Sequence, residues 1–299
     1  MNAADEVKRY ERERAKLETT GLYSAADEHD ACGVGLVVAI DGQPRREVVT
    51  LAIAALKAVW HRGAVDADGK TGDGAGILIE APQAFFREAV KRTGHTPRDG
   101  PIFVGQIFLP RLDLGAQERA RVIVESEIIR AGFALYGWRQ VPVNISQIGD
   151  KANATRPEIE QVLFYDPLCR SEDVVDRDLY IARRRIERRA LRDNVTELYV
   201  CSLSAKRLVY KGMFLAAQID AFYPDLRDER FESCVALYHQ RYSTNTFPQW
   251  RLAQPFSVAA SRPFITVAIS PPQAPSTRCT KAWPRPRLSP ATSPVRLTT

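Results

Sequence analysis

The sequence predicts a layered fold of mixed strands and helices, α+β or α/β, on three observations. Short β-branched runs alternate with amphipathic stretches from residue 33 to residue 242. No period persists long enough for an all-helical or all-β chain, and no internal repeat is visible. With 299 residues, 45% of them hydrophobic and 26% charged, the chain can bury a core of ordinary composition, in one large domain or two small ones.

Taken in order, residues 1–18 are rich in charge and helix formers without a broad apolar stripe, which reads as a surface helix or a lead segment outside the core. Residues 33–40 read as a buried strand ended by the Asp41-Gly42 reversal. Val49, Ile53, Leu56 and Trp60 recur at helical spacing, so 46–60 is a helix. A short strand over 77–80 leaves a glycine-rich loop, and 83–92 follows as a helix with Phe85, Phe86 and Ala89 inward. The alternation continues with a strand at 102–109, a helix at 117–131 and strands at 133–143 and 161–165. A basic helix at 179–192, strands at 198–202 and 207–210, a short helix at 216–222 and a strand at 233–242 complete it.

The tail breaks this pattern. Residues 257–299 hold eight prolines, which block regular strands and helices, and the segment is expected to be disordered. The net charge of +6 also resides there: Arg262, Arg278, Lys281, Arg285, Arg287 and Arg296 face no acidic residue, whereas the rest of the chain is balanced. The charge therefore gives no support to nucleic acid binding by the body of the protein, and the arginines at 183–185 and 188–189, interleaved with Ile181, Ile186 and Leu191, read as a solvated helix face. No apolar run reaches the length of a membrane span, and the first thirty residues are charged where a secretory signal needs an apolar centre; a cytoplasmic location without membrane partners is the expectation. Five widely spaced cysteines and four histidines form no Cys-x-x-Cys pair or ligand spacing, which argues against a disulfide framework or a metal centre and leaves most of the cysteines as plain thiols.

Chemistry concentrates in Glu28-His29-Asp30-Ala31-Cys32-Gly33-Val34-Gly35, where a cysteine opens a strand and glycines follow at the next and third positions. Missing side chains at Gly33 and Gly35 leave room for a substrate against the backbone beside the sulfur. On the residues alone, a small buried cysteine in a tight turn is the favoured reading. Gly72-Asp73-Gly74-Ala75-Gly76 is superficially like a dinucleotide loop, but it enters a strand instead of leaving one to open a helix, so a tight turn is the better reading.

Four blocks carry a resemblance: EHDACGVGLVV (28–38), WHRGAVDADGKTGDGAGILIE (60–80), QAFFREA (83–89) and HQRYSTNTFPQWRLAQPF (239–256). In this order and spacing they resemble the amino-terminal, class II glutamine amidotransferase domain of the glutamate synthase large-subunit family. The resemblance implies an amino-terminal-nucleophile (Ntn) fold, a four-layer αββα sandwich incomplete here at the C-terminal end. It implies a leader over 1–31 that is removed, a partial amidotransferase domain over 32–256, and a tail over 257–299 out of the family frame. Cys32 is then the catalytic nucleophile, whose base is its own freed α-amino group. Arg241 holds the substrate α-carboxylate of L-glutamine, and Arg62 and Thr244 are further substrate-binding positions, with Thr246 either bonding substrate or ordering the loop. No metal or cofactor site is implied within this chain; complete family members carry flavin mononucleotide and an iron-sulfur cluster in downstream domains, and a glutamate synthase small subunit is the implied partner.

After Phe256 the resemblance predicts a His-Asn-Gly-Glu-Ile-Asn segment that supplies the oxyanion hole, and residues 257–299 contain none. The departure suggests a truncated or frameshifted reading frame, an inactive or impaired glutaminase, and apolar surface left uncovered where further strands would pack. The alternatives are a noncatalytic interaction fragment, a non-functional truncated product, or an unrelated cysteine hydrolase with a basic tail.

Overall fold

The computed structural model describes residues 33–240 and 248–255, together with Arg12, Ala15, Lys16, Thr19 and Thr20, which are helical. The expectations for the remainder of the leader and for the tail lie outside the described residues. Eight strands form two antiparallel sheets. The first has the order β1-β8-β2-β7, from β1 (Gly33–Val38), β8 (Val235–Gln240), β2 (Ala75–Glu80) and β7 (Arg207–Gly212). The second has the order β4-β5-β3-β6, from β4 (Ala134–Gln140), β5 (Glu158–Tyr165), β3 (Phe103–Leu109) and β6 (Tyr199–Ser204). Two antiparallel sheets packed with helices make the fold α+β, in keeping with an Ntn-hydrolase-like sandwich.

The helices attach by the stripes the sequence shows, but Trp60, expected on the inward side of the first helix, lies beyond its end and is 69% exposed. Helix α1 (Arg46–Ala58) buries Val49, Ala52, Ile53 and Leu56 in the core shared with Ile77, Ile79, Tyr210 and Ala236 of the first sheet. Helix α2 (Gln83–Arg92) adds Phe85, Phe86, Ala89 and Val90 to it, and Val104, Phe108, Ile159 and Leu163 of the second sheet close it from the other side. The opposite face of the second sheet, with Phe103, Ile107, Val162 and Phe164, is covered by α3 (Leu114–Arg130) and α5 (Glu172–Arg192). Strand β3 is therefore buried on both faces, which explains its continuous apolar run. Asp113 caps α3 by accepting from the Ala116 N–H at 2.9 Å, a contact of about 1 kcal/mol.

Several boundaries move. Helix α5 begins seven residues earlier than its periodicity suggests, where Glu172 and Asp173 complement the helix N-terminus. The reversal at Asp41-Gly42 leads directly into α1, and the partner of β1 is β8. Two short helices, α4 (Asp150–Ala154) and α6 (Ile219–Phe222), are also present; α4 falls in a stretch too short to show a period. Cys201 is a buried free thiol and Cys234 a partly buried one, as expected of plain cysteines, whereas Cys169 is disulfide-bonded, against that expectation.

Val34 and Leu36 on the edge strand β1 are 63% and 39% exposed.

Candidate active site

Of the predicted site residues, Cys32, Arg241 and Thr244 lie outside the described residues, as does Thr246. Their neighbours are placed. Gly33, which follows Cys32, stands opposite Gln240, which precedes Arg241, in the antiparallel ladder of β1 and β8; on its other side Gln240 pairs with Ala75 of β2. The first and fourth motif blocks, remote in sequence, thus meet at one end of one sheet, and the second block is their neighbour.

Arg62 is the predicted residue that the structure places. It sits on a 3₁₀ turn, Trp60–Arg62, and its side chain is exposed, without an ion pair among the described residues. The turn is held by three hydrogen bonds: the Arg62 N–H donates to the Val59 carbonyl at 2.9 Å, the Gly63 N–H to the Trp60 carbonyl at 3.1 Å, and Gln240 Nε2 to the same Trp60 carbonyl at 3.2 Å. A side chain at Gly33 would start 3.5 Å from the Arg62 Cβ and 2.9 Å from Val59 Cγ2. Arg62 is therefore beside the start of β1.

This geometry corrects one reading of the sequence. The clearance at Gly33 and Gly35 is taken up on that face by the protein's own side chains, Val59 at Gly33 and Tyr238 at Gly35, whose Oη would lie 2.2 Å from an added Cβ. Close packing of α1 and β8 explains these two glycines, rather than space for a ligand.

Sequence reasoning gave Gln240 no role, yet it joins the blocks. The side chain is 1% exposed, its Nε2 holds the Trp60 turn, and its Oε1 has no donor among the described residues. The available signal was an amide side chain on a strand between His239 and Arg241. His239 is also buried, with Nδ1 unpartnered among the described residues, and burial draws its pKa below the ordinary 6.5, so it is neutral at neutral pH.

The glycine run at 72–76 feeds β2, and each glycine has a packing reason. An added Cβ at Gly72 would stand 2.3 Å from the Phe214 carbonyl carbon, Gly74 has a φ of +132°, and Gly76 lies under the Gln254 carbonyl and the Pro255 ring. The tight-turn reading holds. The loop before it is pinned by Asp68, which accepts from Thr71 Oγ1 at 2.6 Å and from the Thr71 and Lys70 N–H groups at 2.7 and 2.9 Å; these bonds hold the carboxyl at a pKa of about 2. Gly72→Ala is expected to lower unfolding free energy by about 1–3 kcal/mol, because backbone and not a flexible side chain must yield. Urea denaturation measures it, and a loss within experimental error would contradict the packing argument.

On the basic helix α5, Arg184, Arg185 and Arg188 are exposed as expected of a solvated face, whereas Arg183 and Arg189, paired with Glu187 and Asp193, are only partly exposed. Among the described residues no cluster of three or more His, Cys, Asp or Glu side chains is arranged to hold a metal ion. No helix among them is long and apolar enough to cross a membrane.

Comparison with known proteins extends this geometry. The family Glutamine amidotransferases class-II matches residues 32–265, starting at Cys32 and running past Phe256, where the sequence motifs end. The chain is 60% identical over 246 residues to the Glutamate synthase (NADPH) large chain of Azospirillum brasilense, covering 82% of this chain and 16% of that one. It is 42% identical over 240 residues to the Ferredoxin-dependent glutamate synthase 1, chloroplastic/mitochondrial, of Arabidopsis thaliana, covering 80% and 15%. Against the Glutamate synthase (NADPH) large chain of Bacillus subtilis it is 38% identical over 242 residues, covering 79% and 15%. The chain thus spans about one-sixth of the length of the curated relatives it matches. The matched span, the four motif blocks and the pairing of Gly33 with Gln240 together place this chain in the class II glutamine amidotransferase family.

Proposed function

We propose that the chain is the glutamine-hydrolysing domain of a glutamate synthase large chain, with Cys32 as its nucleophile and L-glutamine as its substrate. One observation carries the reading: the Gly33–Gln240 pairing brings the residues adjoining Cys32 and Arg241 together, and the family match starts at Cys32. The proposed organisation is a leader over 1–31, an amidotransferase domain over 32–256 and a separate tail.

Removal of the leader frees the α-amino group of Cys32, with a reference pKa of roughly 7.7–8.0, which takes the thiol proton near neutrality. In the unprocessed chain Ala31 acylates that nitrogen and no base is present. The sulfur attacks the side-chain amide carbon of glutamine, and the tetrahedral adduct collapses to a thioester as the protonated nitrogen leaves as ammonia. Water then attacks the thioester, releases glutamate and returns the proton to the sulfur. The guanidinium fork of Arg241 receives the substrate α-carboxylate, and Arg62 and Thr244 flank it. Residues 257–299 contain no His-Asn-Gly, and loss of one oxyanion donor alone costs roughly 100- to 1000-fold in rate, so the activity is impaired. In the complete enzyme the ammonia passes to a synthase portion partnered by a small subunit, in the cytoplasm.

The test is ammonia release from glutamine by the chain beginning at Cys32, beside Cys32→Ser and the form that retains the leader. Release only from the first supports the assignment; equal release from all three overturns it. Arg241→Lys is expected to weaken glutamine binding about tenfold or more by calorimetry, since an ammonium cannot reproduce two parallel bonds. Unchanged binding would remove Arg241 from the site. The exposed Val34 and Leu36 favour a second reading, a noncatalytic interaction fragment, which the absence of any Cys32-dependent release would select.

A further inference from the structure

A cavity of about 550 Å³ lies away from the proposed nucleophile, between the end of β3, the start of β6, the turn after α4 and residues 248–251. Its volume is in the usual range for small-molecule sites. Tyr199, partly exposed, gives it an aromatic side, with Phe108 and Trp250, 1% and 4% exposed, packed beside it: the Phe108 ring centroid is 6.1 Å from that of Tyr199 and 6.2 Å from that of Trp250. Behind Tyr199, the buried Lys211 amine stands 4.7 Å from the ring centroid and donates to the Arg251 carbonyl at 2.8 Å.

The other side is cationic. Arg111 donates from Nε to the Arg156 carbonyl at 2.9 Å and from Nη2 to the Asn153 carbonyl at 3.1 Å. Arg156 donates from Nε to Asn153 Oδ1 at 3.3 Å and from Nη1 to the Pro157 carbonyl at 3.3 Å. Both guanidinium groups are therefore oriented by uncharged oxygens, and neither forms an ion pair among the described residues. Each retains a terminal nitrogen without a described partner, Nη1 of Arg111 and Nη2 of Arg156. Burial first, then the Arg111 charge, draws the Arg156 pKa down, opposed by the nearby Glu158 carboxylate, so the two half-buried like charges are only partly balanced from within the chain. Arg251 adds a third cation at the rim, against the single exposed carboxylate of Glu197.

We propose that this cavity binds an organic anion, a carboxylate or phosphate held by Arg111 and Arg156 on a flat apolar body that lies against Tyr199. Two oriented guanidinium nitrogens, one from each arginine, suit an oxyanion, and an aromatic side chain suits a ring. The site is separate from the amidotransferase chemistry. The Trp250 ring packs on Gly212 of β7, which stands in one row with Ala75, Gln240 and Gly33 across the sheet. Three strand spacings of about 4.8 Å put Gly212 about 14 Å from Gly33.

The experiment titrates the full chain with benzoate, adenosine monophosphate and inorganic phosphate, followed by calorimetry and tryptophan fluorescence. The expected result is binding of benzoate or the nucleotide with a dissociation constant below about 1 mM, tighter than phosphate alone, and weakened about tenfold or more in Arg156→Gln with unchanged circular dichroism. The stronger of the two identifies the head group as carboxylate or phosphate. Should Arg156→Gln fail to fold, Arg251→Gln at the exposed rim replaces it, with a several-fold weakening expected. No binding of any probe up to about 10 mM, or equal binding by wild type and variant, overturns the proposal. Displacement of the probe by glutamine would assign the cavity to the amidotransferase site and overturn it as well, whereas loss of ammonia release in Cys32→Ser leaves it intact.

Discussion

Glutamine-dependent ammonia release by the chain beginning at Cys32 is expected to fall to background in Cys32→Ser, a loss on the order of 10⁴-fold or more relative to a competent cysteine nucleophile. The size follows from the division of labour at such a site. The α-amino group can draw a proton from a thiol, whose pKa is roughly 8.5, because the two groups are matched near neutrality; a serine hydroxyl is far less acidic and offers no comparable population of anion. On the proposed reading the starting rate is itself lowered by roughly 100- to 1000-fold or more, since residues 257–299 contain no His-Asn-Gly to supply the oxyanion donors. Steady-state release is therefore a weak readout, and the stronger one is the covalent thioester, sought by mass spectrometry after mixing with glutamine. Attack can still occur without oxyanion donors, only slowly, so adduct on Cys32 is expected even where turnover is hard to detect. A glutamine-derived adduct on any other residue, or release that Cys32→Ser leaves untouched, would remove Cys32 as the nucleophile.

The fold was legible in the sequence wherever burial imposed a period. The stripe of Val49, Ile53 and Leu56 gave α1, the Phe85-Phe86-Ala89 pattern gave α2 with the boundaries observed, and the apolar run before Pro110 gave β3. Elements shaped by contacts remote in sequence were harder to see. Helix α4 is five residues long, and its existence depends on tertiary partners: the Thr71 hydroxyl oxygen accepts from the Ala152 N–H, and Trp250 Nε1 donates to the Ala152 carbonyl. The partner of β1 could not be inferred locally either, because Gly33 and Gln240 are brought together by sheet order. The site divides in the same way. Cys32 and Arg241 were nominated by their motifs, and the ladder places their neighbours side by side. Gln240 escaped notice because its importance lies in a hydrogen bond to the Trp60 carbonyl, which has no signature in residue spacing. The clearance at Gly33 and Gly35 was misread for a related reason: a missing Cβ indicates that something approaches closely, and only the packing of Val59 and Tyr238 shows what approaches.

Asp225→Ala is expected to cost about 3–5 kcal/mol of unfolding free energy, the largest stability loss of any single substitution considered. Asp225 and Arg139 form a bidentate pair at 2.6 and 2.8 Å with side chains 5% and 15% exposed. The same carboxylate accepts from Tyr210 Oη at 2.9 Å, Gln161 Nε2 donates to that hydroxyl oxygen at 3.0 Å, and Arg139 Nη1 donates to Gln161 Oε1 at 2.8 Å. The network therefore ties β4 and β5 of the second sheet to β7 of the first, through the turn that carries Asp225. Removing the carboxylate leaves the Arg139 guanidinium without a counter-charge, held by the Gln161 Oε1 acceptor and by the Phe85 ring 4.9 Å away. It also leaves the Tyr210 hydroxyl without its acceptor. The penalty is that of an unpaired buried charge, far more than the pair's net contribution to the fold. A second variant separates the two: Arg139→Met combined with Asp225→Leu removes both charges, and its loss is expected to be smaller than that of Asp225→Ala alone. Urea denaturation of wild type and both variants decides the matter. A single-variant loss below about 1 kcal/mol would mean that water reaches and screens the pair. A double variant less stable than the single would mean that the polar network contributes to the junction of the sheets beyond the cost of an orphaned charge.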